Sequence, residues 1–169
     1  MKFTILLTVF LFTACTASQS SYTKVYFSEP GADVEDTIVN YIRTAHNQVL
    51  VQAYGFTSDA IFEVLDSLHQ NGVEVSVLLD KSNETSARSK LKSLKKEKIT
   101  TMIDDKPAIA HSKIIIIDGA IVITGSYNWT EHSKKNVENI VVISDPDIAE
   151  KYIDEWNGRE EVSRLPKRR

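Results

Sequence analysis

Cysteine is almost missing from this chain. Cys15 is the only one in 169 residues, so no internal disulfide can form, even in a compartment that would permit one. No apolar run approaches the roughly 20 residues that a bilayer crossing needs, the longest being Phe3 to Phe12. There is no excess of basic residues either: the formal net charge of −3 excludes a uniformly basic nucleic-acid coat, while leaving room for a local basic patch. No internal repeat is present, and no His/Cys cluster has the spacing of metal ligands. What remains is 42% hydrophobic and 25% charged, which at this length describes one domain around a single core.

Residues 1–20, MKFTILLTVFLFTACTASQS, carry an early Lys2, the apolar run, then small and polar residues. This is the layout of a secretory signal and predicts export to a periplasmic or extracellular location. Two fates stay open for Cys15. The segment LFTAC resembles a bacterial lipobox, in which the cysteine becomes the lipidated first residue and anchors the protein to a membrane, although Phe12 stands where that pattern usually has Leu. Ordinary cleavage near Ala17 would instead discard it.

The rest alternates between strand and helix patterns. YTKVYFS (22–28) reads as a strand ending at the turn-forming EPGAD. Val34, Ile38, Ile42 and Ala45 recur at helical spacing behind a candidate N-cap, Asp33, which predicts a helix from Val34 to His46. QVLVQAYGF (48–56) and VEVSVLLD (73–80) read as buried strands around a helix that Ser58 caps and Gly72 stops. A third helix is expected over Ser86–Lys96, then a short strand near Thr100–Ile103. KIIIID and AIVITG, parted by Gly119, read as a hairpin. NIVVIS (139–144) is a further strand, and DPDIAEKYIDEWNG a closing helix with Pro146 in its first turn. The early strand–helix–strand order predicts right-handed crossovers and a mixed, largely parallel sheet, with the domain spanning 21–160 and a frayed basic tail over 161–169.

The stretch HSKIIIIDGAIVITGSYN (111–128) carries the chemistry. Residues two apart on a strand share a face, so His111 and Lys113 point the same way, as do Ser126 and Asn128, and hairpin pairing brings both pairs to one end. A lysine projecting from a buried strand needs an anionic partner. Asp118 is a candidate for that role, or else caps the hairpin.

These residues match the phospholipase D superfamily pattern HxKxxxxD followed after six residues by GSxN, with His111, Lys113, Asp118, Gly125, Ser126 and Asn128 in place. NVEN (136–139), VQAYGFTSDAI and GVEVSVLLD also resemble the small bacterial endonucleases of that superfamily. The resemblance implies an α/β/α sandwich around a mixed sheet and a two-step displacement at a phosphodiester without metal or other cofactor. His111 would be the nucleophile that forms a phosphohistidine. Lys113 and Asn128 would hold the non-bridging oxygens, with Ser126 hydrogen-bonding in the same pocket. Glu138 would accept a hydrogen bond from the imidazole and fix its tautomer. Asp118 resembles a supporting or structural residue. Because the chain has one HxK and the mechanism needs a second histidine as acid, the resemblance also implies a homodimer with a composite site. His132, just after Asn128, is the rival proton donor. His46 and His69 fall at predicted helix C-termini, where an imidazole suits the dipole. Asp80, Asp104 and Asp105, at strand ends, read as turn and cap residues rather than metal ligands.

Between Lys81 and Lys98, the cations Lys81, Arg88, Lys90, Lys92, Lys95, Lys96 and Lys98 face only Glu84 and Glu97. Such a stripe predicts phosphate-backbone contact with DNA or RNA, with little sequence reading. Tyr54, Phe56, Tyr127 and Trp129 are candidates both for stacking on bases and for the core. A phospholipid head group is the alternative substrate.

Overall fold

The computed structural model describes residues 20–28 and 33–167. Cys15 and most of the expected signal segment lie outside the described residues. The elements in chain order are β1 (Tyr22–Phe27), α1 (Val34–Ile42), β2 (Gln48–Ala53), α2 (Asp59–Gln70), β3 (Glu74–Asp80), α3 (Leu91–Lys96), β4 (Thr100–Asp104), β5 (Lys113–Ile117), β6 (Ile121–Gly125), β7 (Asn139–Ser144) and α4 (Pro146–Val162), with short 3₁₀ turns at Lys81–Glu84 and Ser133–Lys135.

One seven-stranded sheet runs β1-β7-β6-β5-β2-β3-β4. It is mixed, but the largely parallel arrangement read from the sequence holds only for β2, β3 and β4; the other four pairings are antiparallel. The reason lies in β1. The crossover through α1 does not return beside β1, which instead pairs antiparallel with β7 at the far edge, because the β5–β6 hairpin and β7 occupy the space between β1 and β2. That hairpin turns at Asp118 and Gly119, both at positive φ (50° and 63°), closed by the Ala120 amide on the Ile117 carbonyl at 3.0 Å. Two positive-φ centres give the type I′ turn, whose twist matches that of the flanking strands.

Alternation along the strands builds two cores. Val49, Val51 and Ala53 join Ile38, Ile42, Ile61, Leu65 and Leu94 under α1, α2 and α3, whereas Leu50, Leu78, Ile114, Ile116 and Val122 pack with Ala149 and Trp156 of α4. This is the α/β/α sandwich. Caps fall where side-chain chemistry demands: Asp33 accepts the Asp36 amide at 3.0 Å and Ser58 the Ile61 amide at 3.1 Å.

Three boundaries differ from the sequence reading. α1 stops at Ile42 rather than His46, because the amides of His46 and Asn47 are bonded to the Asp118 carboxylate. α3 begins only at Leu91, since Ser89 is bound to Asn83 and the Lys90 amide to the Phe56 carbonyl. Residues 161–167 of the C-terminal segment are not frayed. α4 continues to Val162, and Arg164 exchanges both main-chain hydrogen bonds with Ile103 at the free edge of β4 (2.7 and 3.1 Å). Its guanidinium pairs with Glu84 and Asp105. The fold therefore includes residues placed in the tail by the sequence reading.

Candidate active site

The sheet directions put the ends of β2, β3, β4 and β6 and the starts of β5 and β7 along one rim. His111 lies on this rim, two residues before β5, exposed, while Lys113 is buried as the first residue of that strand. Their shared face is realised: Lys113 Nζ is 3.0 Å from Nδ1 and 3.2 Å from Nε2 of His111, and donates to the His111 carbonyl at 2.6 Å. Near-equal distances place the ammonium against the ring rather than in line with one lone pair. Burial pulls the Lys113 pKa below the ordinary lysine value, while the charge of Glu138 opposes that shift without cancelling it.

Two supports fix His111 from outside the motif. The Tyr54 ring lies 4.6 Å from the His111 ring at 55°, and Lys113 Nζ stands 5.5 Å from the Tyr54 centroid. Asp80, read from the sequence as a turn or cap residue, accepts the Ser82 amide through one oxygen and the Ala110 amide, next to His111, through the other, each at 2.8 Å. Burial raises its pKa, but these bonds outweigh burial and the net shift is downward. Asp80 is thus a positioning residue whose only signal in the sequence was an acid at a strand end.

Gly125 allows the second half of the motif to approach. A Cβ there would come 2.2 Å from the Asn139 carbonyl oxygen, which accepts the amides of Ser126 and Tyr127 at 3.1 and 3.3 Å. Ser126 Oγ takes the Asn139 amide at 3.0 Å and donates to Glu138, whose other oxygen receives Asn136 Nδ2 at 2.9 Å. The expected bond from Glu138 to His111 is therefore not made; Glu138 is held by Ser126 and Asn136 instead. Asn128 lies between Tyr127 and Trp129, both buried, with Trp129 Nε1 bound to the Gln52 carbonyl at 3.1 Å. The Asn128 amide oxygen is buried without a partner among the described residues; as an acceptor it cannot hold a phosphate oxygen, which only the Nδ2 group of the same side chain could do.

Asp118 lies at the other end of β5 and accepts the amides of His46, Asn47 and Gln48, each at 2.8 Å. It is a structural clamp and neither a catalytic group nor the partner of Lys113. Asp104 and Asp105 are engaged with Arg159 and Arg164. Phe56, Tyr127 and Trp129 belong to the core and cannot stack on bases; only Tyr54 is partly exposed.

The basic stripe divides. Lys81 Nζ donates to the Pro107 carbonyl, Lys90 pairs with Asp59, Lys96 with Glu97, and Lys95 reaches the Lys167 carbonyl. Lys92 and Lys95 line a 240 Å³ recess with Lys167, whereas Arg88 and Lys90 line a different one with His132. Ser86 lines both recesses.

A buried ammonium, an exposed imidazole and an unpaired carboxamide at the rim of a mixed α/β/α sheet define a site built for the oxygens and phosphorus of a phosphate ester. Comparison with known proteins gives the same class. Residues 38–159 match the family described as cardiolipin synthase, PLD-like domain. Over 131 residues the chain is 42% identical to a phospholipase D of Rickettsia felis, the match covering 77% of this chain and 66% of that protein. It is 31% identical over 104 residues to the human mitochondrial cardiolipin hydrolase, covering 61% of this chain and 41% of that one. Among solved structures, the phospholipase D family member Nuc of Salmonella typhimurium superposes with a TM-score of 0.81 at 30% identity, over 86% of this chain and 97% of Nuc. NucT of Helicobacter pylori shares the fold, with a TM-score of 0.77 at 22% identity, over 85% and 98% of the two chains. The chain belongs to the phospholipase D superfamily, its PLD-like domain spanning residues 38–159.

Proposed function

We propose that the protein is an exported, metal-independent endonuclease that cleaves DNA or RNA without sequence preference, working as a homodimer. The observation that carries the reading is the meeting of His111, Lys113 and Asn128 at one rim, in a chain whose likeness to Nuc extends over 97% of that structure.

In the first step a His111 nitrogen attacks phosphorus; the P–N bond forms as the bond to the leaving oxygen breaks. Lys113 and Asn128 take the non-bridging oxygens. The leaving oxygen collects a proton from His111 of the partner subunit, a contribution of roughly 10²- to 10⁴-fold. Water then attacks phosphorus, giving its proton to the partner subunit's His111, while the P–N bond breaks and both imidazoles are restored. Glu138 holds Ser126 through its hydroxyl.

Support for a second copy comes from the surface around the half-site. Ile109, Phe27 and Val137 are 54%, 59% and 90% exposed. Ile109 is two residues from His111, Val137 adjoins Glu138, and Phe27 pairs with Asn139. Apolar groups this exposed beside a one-histidine site suit burial against a copy of the same face.

The relatives named phospholipase D and cardiolipin hydrolase favour a second reading, in which the same residues hydrolyse a phospholipid head group. Plasmid DNA, RNA and phosphatidylcholine or cardiolipin vesicles, incubated in parallel with wild type and His111→Ala in the presence of EDTA, separate the two. Nucleic-acid cleavage that vanishes in the variant supports the nuclease; turnover of lipid alone supports the second reading. Full activity in a sample shown to be monomeric by sedimentation would remove the composite site.

A further inference from the structure

Beside the His111 site, the loops after β2, β3 and β6 enclose a separate cleft of 550 Å³. The two share a wall. Tyr54, one residue beyond β2, packs on His111; the next residue, Gly55, is so close to Thr130 that a Cβ would lie 3.0 Å from its methyl group; and Thr57 and Thr130 line the cleft. Three residues of extended chain, from Tyr54 to Thr57, reach at most about 10 Å, so the cleft lies close beside the His111 site.

Of its charged groups, Asp59 pairs with Lys90, and Glu131 shares Lys134 with Glu35 and accepts the Asp59 amide at 3.3 Å. Arg88 and His132 are exposed, and neither side chain has a protein partner among the described residues. The Ser86 and Thr57 hydroxyls complete the donors. A guanidinium with uncommitted N–H groups, an imidazole and two hydroxyls are the donor set for a phosphate. None of the exposed large hydrophobic side chains lines the cleft.

We propose that this cleft, through Arg88 and His132, binds a second phosphate of a polynucleotide whose neighbouring phosphodiester is attacked by His111. The inference rests on the nuclease reading and deepens it: selectivity for a polymer over an isolated phosphodiester arises here, and His132 serves substrate binding rather than proton donation.

The test compares kcat/KM on a short single-stranded DNA oligonucleotide with that on bis(4-nitrophenyl) phosphate, for wild type, Arg88→Ala, His132→Ala and the double variant. The ratio of the two constants is expected to fall about tenfold or more in the double variant, through KM for the oligonucleotide, with the log–log salt dependence becoming shallower by about one for the lost arginine. Equal losses on both substrates overturn the proposal and return His132 to the proton-donor role. An unchanged ratio overturns it as well. Where wild type cleaves the small diester and neither DNA nor RNA, the nuclease reading itself fails; where wild type cleaves DNA and the ratio is unmoved, only the second-phosphate site fails. A cardiolipin-vesicle arm completes the set: losses confined to it overturn the polynucleotide assignment in favour of a lipid with two phosphates.

Discussion

The ring of Tyr54 lies against that of His111, 4.6 Å between centroids and tilted by 55°. Its own place is set from behind, because its carbonyl accepts Asn83 Nδ2 at 2.7 Å. If His111 is the nucleophile proposed above, its exposed ring, with no carboxylate on it, depends on this contact for orientation. Tyr54→Ala is expected to lower kcat by about 10- to 100-fold, the range in which misplacement of a reacting group by about an ångström falls. Tyr54→Phe, which keeps the ring, should stay near wild type. A Phe variant as impaired as Ala would mean that the hydroxyl, not the ring, is what the site uses.

Lys113 must be protonated to hold phosphate oxygens. Burial draws its pKa below the ordinary value of 10.5 against the opposing pull of Glu138, so the ammonium is lost earlier on the alkaline side than in a free lysine. In a His111→Ala background, where no catalytic imidazole titrates, affinity measured by calorimetry for a phosphodiester such as dimethyl phosphate, which keeps one charge across this range, is expected to be level at neutral pH and to fall as pH rises through the lowered value. Lys113→Arg holds its charge through that range and should remove the fall. A decline that persists in the Arg variant assigns the titration to another group.

How far these residues were legible beforehand depended on whether the signal was local. His111 with Lys113, and Ser126 with Asn128, followed from period-two geometry on a hairpin that the chain spells out. The apolar strands, Asp33, Ser58 and Pro146 were equally local. The parallel character of the sheet was over-read because β1 meets β7 across more than a hundred residues, and pairing at that separation leaves no trace in a short window. The same holds for Arg164 on Glu84 and for Asp80 on Ala110. Glu138 was placed on the imidazole by resemblance, whereas its neighbours Ser126 and Asn136 compete successfully for both oxygens.

Asp118 illustrates a motif residue whose work is done far from the chemistry. Burial raises its pKa, but the amides of Gln48, His46 and Asn47 together pull it below 3.8. A carboxylate depressed in the folded state stabilises fully above its unfolded value and loses that contribution as pH falls through the folded one. Asp118→Ala leaves three amides without their acceptor and should cost about 2–3 kcal/mol, roughly 5–10 °C in Tm, with kcat of the folded fraction retained. Loss of kcat at a temperature where the variant is fully folded would restore Asp118 to the active site.

The C-terminal strap makes the sharpest prediction about pH. The Arg164 guanidinium donates to both oxygens of Glu84, at 3.1 and 2.8 Å, and the Lys167 amide adds a third bond at 2.9 Å. The bond to Arg164 is the largest influence on the Glu84 carboxyl; although burial opposes it, the pKa falls from 4.5 to about 2. The folded state therefore gains from this carboxylate at every pH above about 4.5, and the gain drains away between there and about 2. Arg164→Ala should lower stability at neutral pH by about 2 kcal/mol, and the gap in Tm between wild type and variant should narrow as the pH is taken from 5 toward 2, because acid removes from wild type what the substitution has already removed. Glu84→Gln should show the same convergence. A gap that stays constant across this range would mean that the strap is held by its main-chain bonds to Ile103 and not by the ion pair. Since Asn83, adjoining Glu84, carries Tyr54, loosening the strap should also lower kcat at neutral pH, and rescue by Arg164→Lys should be partial, a single ammonium being unable to reproduce the forked pairing with both Glu84 oxygens.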